Sequence, residues 1–365
     1  MTAITQAVIP MGRRERVDPS EWSLREAVER YLTHRRADAT EASIKSWYYD
    51  LKLFVEWIEA EGVDVIGAVE PYDLADWYDV RAGTVAPSTL YNEMHALTSF
   101  FRFLRRKGAT TDEHLTSIHI PDIDPAEMTD STSLRPDAGL DLIEFYRDSP
   151  NHRGTRGHVY LELAWFIGAR LGGLRALDVY DVDLDRAYVE FHHRPDSGTP
   201  LKNKRKGERP VGIPDKTVEA VRLYLDQHRE SVVDEYDRQP LLASIQGRPR
   251  EDTIRDWSYL ATQPCLQSPC PHGRDRDTCE YVRQIKASKC PSSRSPHQIR
   301  TGSITYQLNT GLPPAVVAER VNAQIKTIEQ HYDFASTEER WRRYRDRMEQ
   351  RREFVDLLDE SEDQQ

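Results

Sequence analysis

Apolar residues recur every three or four positions along the first part of the chain, from about residue 23 to residue 108. This spacing places them on one face of successive helices. The first such segment, "SLREAVERYLTHRR", begins at Ser23 and carries Glu26 three residues later, a combination that caps a helix start. Three more helical segments follow, "TEASIKSWYYDLKLFVEWIEAEG", "PYDLADWYDVRAG" and "APSTLYNEMHALTSFFRFLRRKG". The pattern predicts a compact helical domain over residues 20–108.

A polar stretch with Pro and Asp but no apolar periodicity follows, which indicates a linker over 109–137. A second domain is predicted over 138–346. In it "LDLIEFYRDS", "RGHVYLELAWFIGARLGGLRALDV" and "DKTVEAVRLYLDQHRE" have helical spacing, whereas "AYVEFHH" and "ERPVGIP" indicate two short strands joined by a basic hairpin. Helices are expected to continue to an acidic tail over 347–365. The predicted fold is therefore mainly α with a small antiparallel β-sheet.

The length of 365 residues fits two domains, at roughly 100–200 residues for each. Hydrophobic residues make up 38% of the chain, which is enough for real cores and excludes a wholly disordered protein. The longest apolar runs are shorter than the ~20 residues of a membrane-spanning helix. The N-terminus lacks the basic-then-apolar order and the small-residue cleavage site of a signal peptide. These features predict a soluble cytoplasmic protein with no membrane partner.

A net charge of −11 by itself argues against nucleic-acid binding. The net charge is an average over the whole chain, however, and does not describe local surfaces. Basic residues cluster in segments such as "FRFLRRKG", "LKNKRKGERP" and "RWRRYRDRMEQRR", whereas the tail "DLLDESEDQQ" is acidic. Few lysines together with many Asp and Glu suit a salt-rich cytoplasm, where ions screen the self-repulsion of the chain. The composition therefore permits local phosphate-binding surfaces and favours a halophilic source.

Several side chains of the second domain suit phosphate chemistry, although each alone has an ordinary explanation in a salt bridge, a soluble strand edge or core packing. They are Arg170 in "FIGARLGG", Lys202, Lys204 and Lys206 in the hairpin, His297 and Arg300 in "HQIR", and Tyr332 in "IEQHYD". Arginine is permanently charged and can bind two phosphate oxygens at once. The set therefore indicates a dispersed phosphate site.

His297 and Arg300 lie one helical turn apart, so they share a helix face and can contact the same phosphate. Ser295 as the N-cap, Pro296 at the first helical position and Gln298 at the third predict a helix start at this point. A helix N-terminus also favours anions.

In this order, the segments resemble the motifs of the tyrosine recombinase, or phage integrase, superfamily. "IGAR" with "LRALDVYDVDL" is similar to the first arginine motif, the hairpin ending in "ERPV" to the lysine motif, "HQIR" to the third motif and "TIEQHYD" to the nucleophile motif. The resemblance extends from about Ser23 to Arg345. It implies that the first domain is a DNA-binding core-binding domain and that the second domain is catalytic.

The resemblance implies a site-specific recombinase that cuts and rejoins double-stranded DNA through a 3′-phosphotyrosine link. Arg170 and Arg300 would bind the scissile phosphate, Tyr332 would attack it, and Lys204 would protonate the departing 5′-oxygen. Lys202 and Lys206 remain alternatives, because a register slip of one residue changes which hairpin side chain points inward. No cofactor, metal or ATP is implied for catalysis. Recombination also implies a homotetramer on two duplexes.

Two places depart from the family pattern. Gly172 and Gly173 follow the first arginine where the family usually has Glu or another polar residue. Asn322, or Ala323 in strict register, stands where the family has His or Trp. Asn322 can donate a hydrogen bond to a phosphate oxygen but cannot transfer a proton. The alternatives are therefore a catalytically degraded, recombinase-like DNA-binding or architectural protein, and a topoisomerase with the same chemistry.

All the cysteines lie in one insert, over residues 262–294. They are Cys265, Cys270, Cys279 and Cys290, with His272 between the second and the third. Disulfides are disfavoured inside cells, so clustered thiols predict a structural zinc site. Either four cysteines, or three with His272 in place of Cys265, would bind the metal; the alternative is a set of reduced, partly buried thiols. Similar inserts occur in integrase-like proteins of halophilic archaea, and the metal would support the "HQIR" helix without entering catalysis.

Overall fold

The computed structural model describes residues 17–124, 132–331, 341–342, 344–345, 348–349 and 352. The chain divides into two compact units, Met1–Asp130 and Ser131–Gln365. Most of the described residues lie in helices, and a three-stranded antiparallel sheet lies in the second unit. The predicted fold class, mainly α with a small antiparallel sheet, is therefore confirmed.

The first unit is helical throughout its described part. Its helices are α1 (Leu24–Arg35), α2 (Glu41–Ala60), α3 (Pro71–Ala82), α4 (Pro87–Lys107) and α5 (Asp112–Ser117). The Ser23 Oγ accepts a hydrogen bond from the Glu26 N–H at 3.2 Å, as the sequence predicted. Gly108 ends α4 with a left-handed φ of 82°. The apolar faces of the longer helices enclose a core rich in aromatic residues, including Phe54, Trp77 and Phe100.

Helix α5 lies inside the stretch that the sequence analysis assigned to a linker. Thr111 and His114 cap its first turn, and the His114 Nε2 lies 2.9 Å from the carbonyl oxygen of Val69. Ile118, just after the helix, is buried in the core of the first unit. The apolar periodicity did not reveal this helix, because its stability comes from caps and tertiary contacts more than from an apolar stripe.

The second unit contains the sheet and the remaining helices. These elements are α6 (Pro136–Asp148), α7 (Arg156–Ile167), α8 (Leu171–Ala176), β1 (Val182–Asp183), β2 (Tyr188–Phe191), β3 (Arg209–Gly212), α9 (Asp215–Gln227), α10 (Glu251–Ala261), α11 (Pro296–Asn309), α12 (Pro314–Val321) and α13 (Ile325–His331). Strand β2 is central, with Val189 opposite Val182 on one side and Val211 on the other. The buried side of the sheet joins a core that includes Trp165 of α7.

A glycine divides the continuous helix that the sequence predicted over 156–179. Gly168 has a left-handed φ of 68° and ends α7, and α8 begins at Leu171. A Cβ atom at Gly168 would lie 2.8 Å from the Ser303 Oγ of α11, so glycine permits both the turn and the close approach. The interruption places Arg170 at the N-cap of α8, in extended backbone.

The prediction that helices continue to the tail is wrong for two segments. Residues 228–250 contain no helix, and the cysteine-rich insert contains only short 3₁₀ turns, Pro264–Leu266, Glu280–Val282 and Gln284–Lys289. The predicted tail over 347–365 lies outside the described residues except for 348, 349 and 352. None of the described helices has both the length and the apolar character needed to cross a bilayer.

A buried carboxylate connects several irregular segments of the second unit. Asp178 is fully buried and forms ion pairs with Arg194 at 3.1 Å, with Arg238 at 2.7 Å and with Arg248. Arg194 lies in the β2–β3 connection, and the other two arginines lie between α9 and α10. Because a buried charge needs a partner, this network stabilises segments that lack regular secondary structure.

Asp178→Asn is expected to lower the free energy of unfolding by about 3–5 kcal/mol, because the buried Arg238 guanidinium loses its carboxylate. Asp252→Asn is the control, since Asp252 forms an exposed pair with Arg255 and such a pair contributes about 0.2–1 kcal/mol. Urea unfolding monitored by tryptophan fluorescence measures both variants. Equal losses would show that the Asp178 network does not stabilise the unit.

Candidate active site

Helix α12 ends in a left-handed residue. Asn322 has a φ of 54° and a ψ of 60°, a conformation that Gly and Asn adopt most readily. The Ala323 N–H returns to the carbonyl oxygen of Ala318 at 2.9 Å and closes the helix end. The carbonyl groups of Arg320 and Val321, in the last turn of α12, and of the C-cap Asn322 accept hydrogen bonds from elsewhere in the unit.

Three arginines donate to these three consecutive carbonyl oxygens. Arg209 Nε donates to Arg320 at 2.8 Å, Arg300 Nη1 to Val321 at 2.8 Å, and Arg170 Nη1 to Asn322 at 2.6 Å. The carbonyl end of a helix has a partial negative charge, so cations are stabilised there. We call Arg170, Arg209 and Arg300 the arginine cluster.

Arg170 and Arg300 reach the end of α12 from different helices. Arg300 belongs to α11, is only 2% exposed, and also donates through Nη1 to the carbonyl oxygen of Gly168 at 2.6 Å. Arg170 lies two residues after that glycine, at the start of α8. The break between α7 and α8 therefore brings the first predicted arginine to the helix end where the second one is bound.

Glycine packing positions α11. A Cβ atom at Gly302 would lie 1.9 Å from the carbonyl oxygen of Leu134 and 3.1 Å from the Trp165 ring, so only glycine fits. The next residue, Ser303, donates its hydroxyl to the Trp165 carbonyl oxygen. These contacts fix α11 against α7 and thereby fix the position of Arg300.

His297 lies in the first turn of α11, as the sequence predicted. The Gln298 N–H donates to the Ser295 Oγ at 3.3 Å, and the Ser295 N–H donates to the Gln298 Oε1 at 2.9 Å. The predicted capping box is therefore confirmed. The His297 side chain is exposed, whereas Arg300, one turn later, is buried. The helix thus presents an imidazole at the surface above a buried guanidinium.

The candidate lysines lie in a loop that contacts the end of α12. We call residues 202–207 the lysine loop; Lys202, Lys204 and Lys206 are all exposed in it. The Asn203 Nδ2 donates to the Asn322 Oδ1 at 2.7 Å.

Close packing at Gly207 gives the lysine loop a second contact with the same residue. A Cβ atom at Gly207 would lie 2.6 Å from the Asn322 Nδ2, so this approach requires glycine. Through these two contacts Asn322 connects the lysine loop to the arginine cluster.

The three lysines were left as alternatives because of a possible slip in strand register, but the segment that carries them is not a strand. Lys204–Gly207 form a 3₁₀ turn, and Lys204 has a left-handed φ of 51°. Successive side chains in such a turn point about 120° apart, so the two-sided alternation of a strand does not apply. The argument from register is therefore wrong, and Lys204 stays a prediction on its distance from β3.

Asn322 and Ala323 occupy structural positions at the point where the family has His or Trp. The Asn322 carbonyl accepts from Arg170, and its side-chain amide contacts the lysine loop. Ala323 packs against a core that includes Ile304 and Val321. An amide and a methyl group do not transfer protons at ordinary pH, so neither residue supplies the acid–base group of a histidine.

The predicted nucleophile, Tyr332, lies outside the described residues. The described part of helix α13 reaches His331, the residue before it. Within α13, Ile328 is buried in the core that α11 and α12 form. The described part of α13 is thus packed on the two helices that carry Arg300 and Asn322.

Positive charge is concentrated at the arginine cluster. The Arg209 guanidinium lies 4.3 Å from the centroid of the Phe191 ring. Burial, followed by the charges of Arg300, Arg170 and Arg320, lowers the pKa of Arg209 to about 10. In the described part of the chain, no carboxylate offsets this shift. Arg209 was not among the residues predicted from the sequence, although it lies in the "ERPV" segment that located the lysine.

The cysteines and His272 do not form the predicted zinc site. Among the described residues, which include the whole insert over 262–294, no three His, Cys, Asp or Glu side chains lie close enough to hold a metal ion. The Cys265 Sγ instead accepts a hydrogen bond from Arg276 at 3.0 Å, and the His272 Nε2 lies 2.9 Å from the Ser292 Oγ.

The structure also bears on the alternative to a zinc site. Cys265, Cys270, Cys279 and Cys290 are free and partly buried, which was the alternative reading of the sequence.

No family model matches the chain. Among curated proteins, the chain is similar to a tyrosine recombinase XerC from Roseiflexus castenholzii, with 32% identity over 170 residues, 46% of this chain and 53% of the relative. A tyrosine recombinase XerC from Chlorobaculum parvum is 23% identical over 336 residues, which cover 84% of this chain and 89% of the relative. The match to the first of these spans about half of the relative's length.

Solved structures with the same fold include a Tn1549 transposon integrase in complex with circular intermediate DNA. It has a TM-score of 0.59 at 12% identity, over 90% of this chain and 99% of that chain. A lambda integrase dimer bound to a COC′ core site has a TM-score of 0.57 at 14% identity, over 86% of this chain and 78% of that chain. The chain therefore has the two-domain fold of the tyrosine recombinase integrases, and its sequence relatives support a place in the same superfamily.

Proposed function

We propose that this protein is a site-specific tyrosine recombinase that cuts and rejoins double-stranded DNA through a covalent 3′-phosphotyrosine intermediate. The observation that carries the proposal is the binding of Arg170 and Arg300 to neighbouring carbonyl groups at the end of α12. The lysine loop contacts the same helix end through Asn203. Two guanidinium groups from separate motifs, and the loop that carries the lysines, thus contact the same helix end, which supports the proposal.

Phosphodiester transfer requires positive charge at the non-bridging oxygens, an in-line nucleophile and a proton donor for the leaving oxygen. Arg170 and Arg300 would bind the non-bridging oxygens through charged hydrogen bonds. His297, exposed in the first turn of α11, would donate to the same phosphate. The proposed scissile phosphate thus has three donors, two of which are held by backbone carbonyls.

Tyr332 would attack the phosphorus as its phenolate, with the phenolic proton released to the solvent, and the bond from phosphorus to the 5′-oxygen would break. Lys204 would give its proton to that departing oxygen. Because the tyrosyl link conserves the energy of the phosphodiester, the 5′-hydroxyl of another strand can attack it and release Tyr332. The reaction therefore balances without ATP, a metal ion or another cofactor.

The proposed partner is double-stranded DNA in the cytoplasm, bound by a core-binding domain over 20–108 and a catalytic domain over 138–346. One structure of the same fold is a lambda integrase tetramer bound to a Holliday junction, with a TM-score of 0.55 at 13% identity. A homotetramer on two duplexes would supply one tyrosine for each of the four strands. Binding through phosphate contacts would weaken as salt rises.

A second candidate function is DNA binding by a recombinase-like protein that no longer cuts. The residues at the position where the family has His or Trp favour this function, since neither Asn322 nor Ala323 carries a group that transfers protons. The arginine cluster serves both candidates, because it would bind phosphate with or without a competent nucleophile. A test of covalent chemistry separates the two.

Nicked suicide DNA provides that test, because loss of the short 5′ fragment prevents rejoining. The wild-type protein is expected to form a covalent complex that survives denaturing gel electrophoresis, and Tyr332→Phe is expected to abolish it while DNA binding in a gel-shift assay is kept. Tyr236→Phe, at an exposed tyrosine of the same unit, is the control and should behave as wild type. No adduct from the wild type at any salt concentration would contradict the enzyme proposal.

Lys204→Ala is expected to slow adduct formation by about 10²–10⁴-fold, because the leaving oxygen loses its proton donor. Lys202→Ala and Lys206→Ala are matched controls from the same loop. A substrate with sulfur in place of the bridging 5′-oxygen should restore the rate, since a thiolate leaves without a proton. If sulfur does not rescue Lys204→Ala, or if the loss follows another lysine, the assignment of Lys204 is wrong.

A further inference from the structure

Arg209 is held in a fixed position by contacts on three sides. Its Nε donates to the Arg320 carbonyl oxygen and its Nη1 to the Gly207 carbonyl oxygen, both at 2.8 Å. Its guanidinium packs over the Phe191 ring at 4.3 Å. Among the described residues, none accepts a hydrogen bond from its Nη2. A charged donor is therefore oriented in advance and keeps one nitrogen for a ligand.

Among the described residues, no carboxylate balances the charge of Arg209. The charges that act on it belong to Arg300, Arg170 and Arg320. Carbonyl groups carry only partial charges, so they offset the repulsion in part. A partly buried group of cations is stabilised when an anion binds among them. This charge arrangement favours an anionic ligand.

Other arginines of the second unit do not share this property. The Arg320 side chain donates to the Gln307 side chain and to the carbonyl oxygens of Phe166 and Gly212. It therefore connects α12 to neighbouring segments.

Arg238 and Arg248 are buried beside Asp178, which balances their charge. Arg209 alone of these four combines fixed geometry, a remaining donor and the absence of a carboxylate partner in the described part of the chain.

We propose that Arg209 is a further phosphate-binding residue, whose Nη2 donates to an oxygen of the phosphate that Arg170 and Arg300 also bind. The identity of that phosphate as the scissile group of DNA rests on the proposed function. The binding of a phosphate anion at the arginine cluster does not, and it is measured separately. Arg209 would add a third guanidinium that is held at the same helix end.

The first measurement uses inorganic phosphate and the full-length chain. The melting temperature is recorded against phosphate concentration, with chloride keeping the ionic strength constant, because a ligand that binds only the folded state raises the melting temperature. Arg209→Gln is expected to weaken the apparent phosphate affinity about 10- to 100-fold, as expected for the loss of a charged hydrogen bond. A purely structural role would lower the melting temperature equally in phosphate and in chloride.

Arg222→Gln is the matched control, since Arg222 is an exposed arginine of α9 in the same unit. It should leave the phosphate dependence unchanged. Arg209→Lys keeps the charge but loses the planar guanidinium with its several N–H donors. A phosphate affinity between those of the wild type and Arg209→Gln is therefore expected. Equal phosphate dependence in the wild type and Arg209→Gln, or no phosphate dependence in the wild type, overturns the inference.

The second measurement uses the nicked suicide DNA. Arg209→Gln is expected to slow adduct formation about 10²–10³-fold, the usual effect of removing one preorganised donor from a developing charge. An unchanged rate would overturn the placement of Arg209 at the scissile phosphate. If the wild type forms no adduct, the proposed function fails, and the phosphate titration alone then decides whether Arg209 binds an anion.

Discussion

The hydrogen bonds between the arginine cluster and the carbonyl end of α12 determine the arrangement of the candidate site. Each bond serves both partners, since the carbonyl groups at the C-terminal end of a helix need donors and closely spaced cations need negative charge. The left-handed Asn322 directs this arrangement, because it ends the helix and its side chain also binds the lysine loop. One short helix end thus unites the first arginine motif, the lysine motif and the third motif.

The second unit uses arginine in two different ways. Around Asp178, a full negative charge balances the buried guanidinium groups, and the result is a closed structural network. At the end of α12, backbone carbonyl groups accept hydrogen bonds from the guanidinium groups of Arg170, Arg209 and Arg300. The two groups of arginines therefore differ in an acceptor that orients them: a full negative charge at Asp178 and partial charges at the end of the helix.

Local features of the structure were predictable from the sequence, and features that depend on distant contacts were not. The caps at Ser23 and Ser295 follow from a few neighbouring residues, so both were found. Helix α5 was not predicted, because its stability comes from tertiary contacts. The break between α7 and α8 at Gly168 was not predicted, because the close approach of Ser303 that favours glycine there involves a residue far away in the sequence. Arg209 escaped for the same reason: its partners are known only once α12 is in place.

The separation of these partners along the chain has a consequence for folding. The bond from Arg170 to Asn322 spans 152 residues, and the bond from Arg209 to Arg320 spans 111 residues. Contacts between such distant residues form late, because the intervening chain must first lose its freedom. During synthesis from the N-terminus, Arg170 and Arg209 emerge long before the helix end that orients them. A nascent or truncated chain that lacks α12 therefore has the charges of the site without its geometry, and its affinity for phosphate remains that of scattered surface cations.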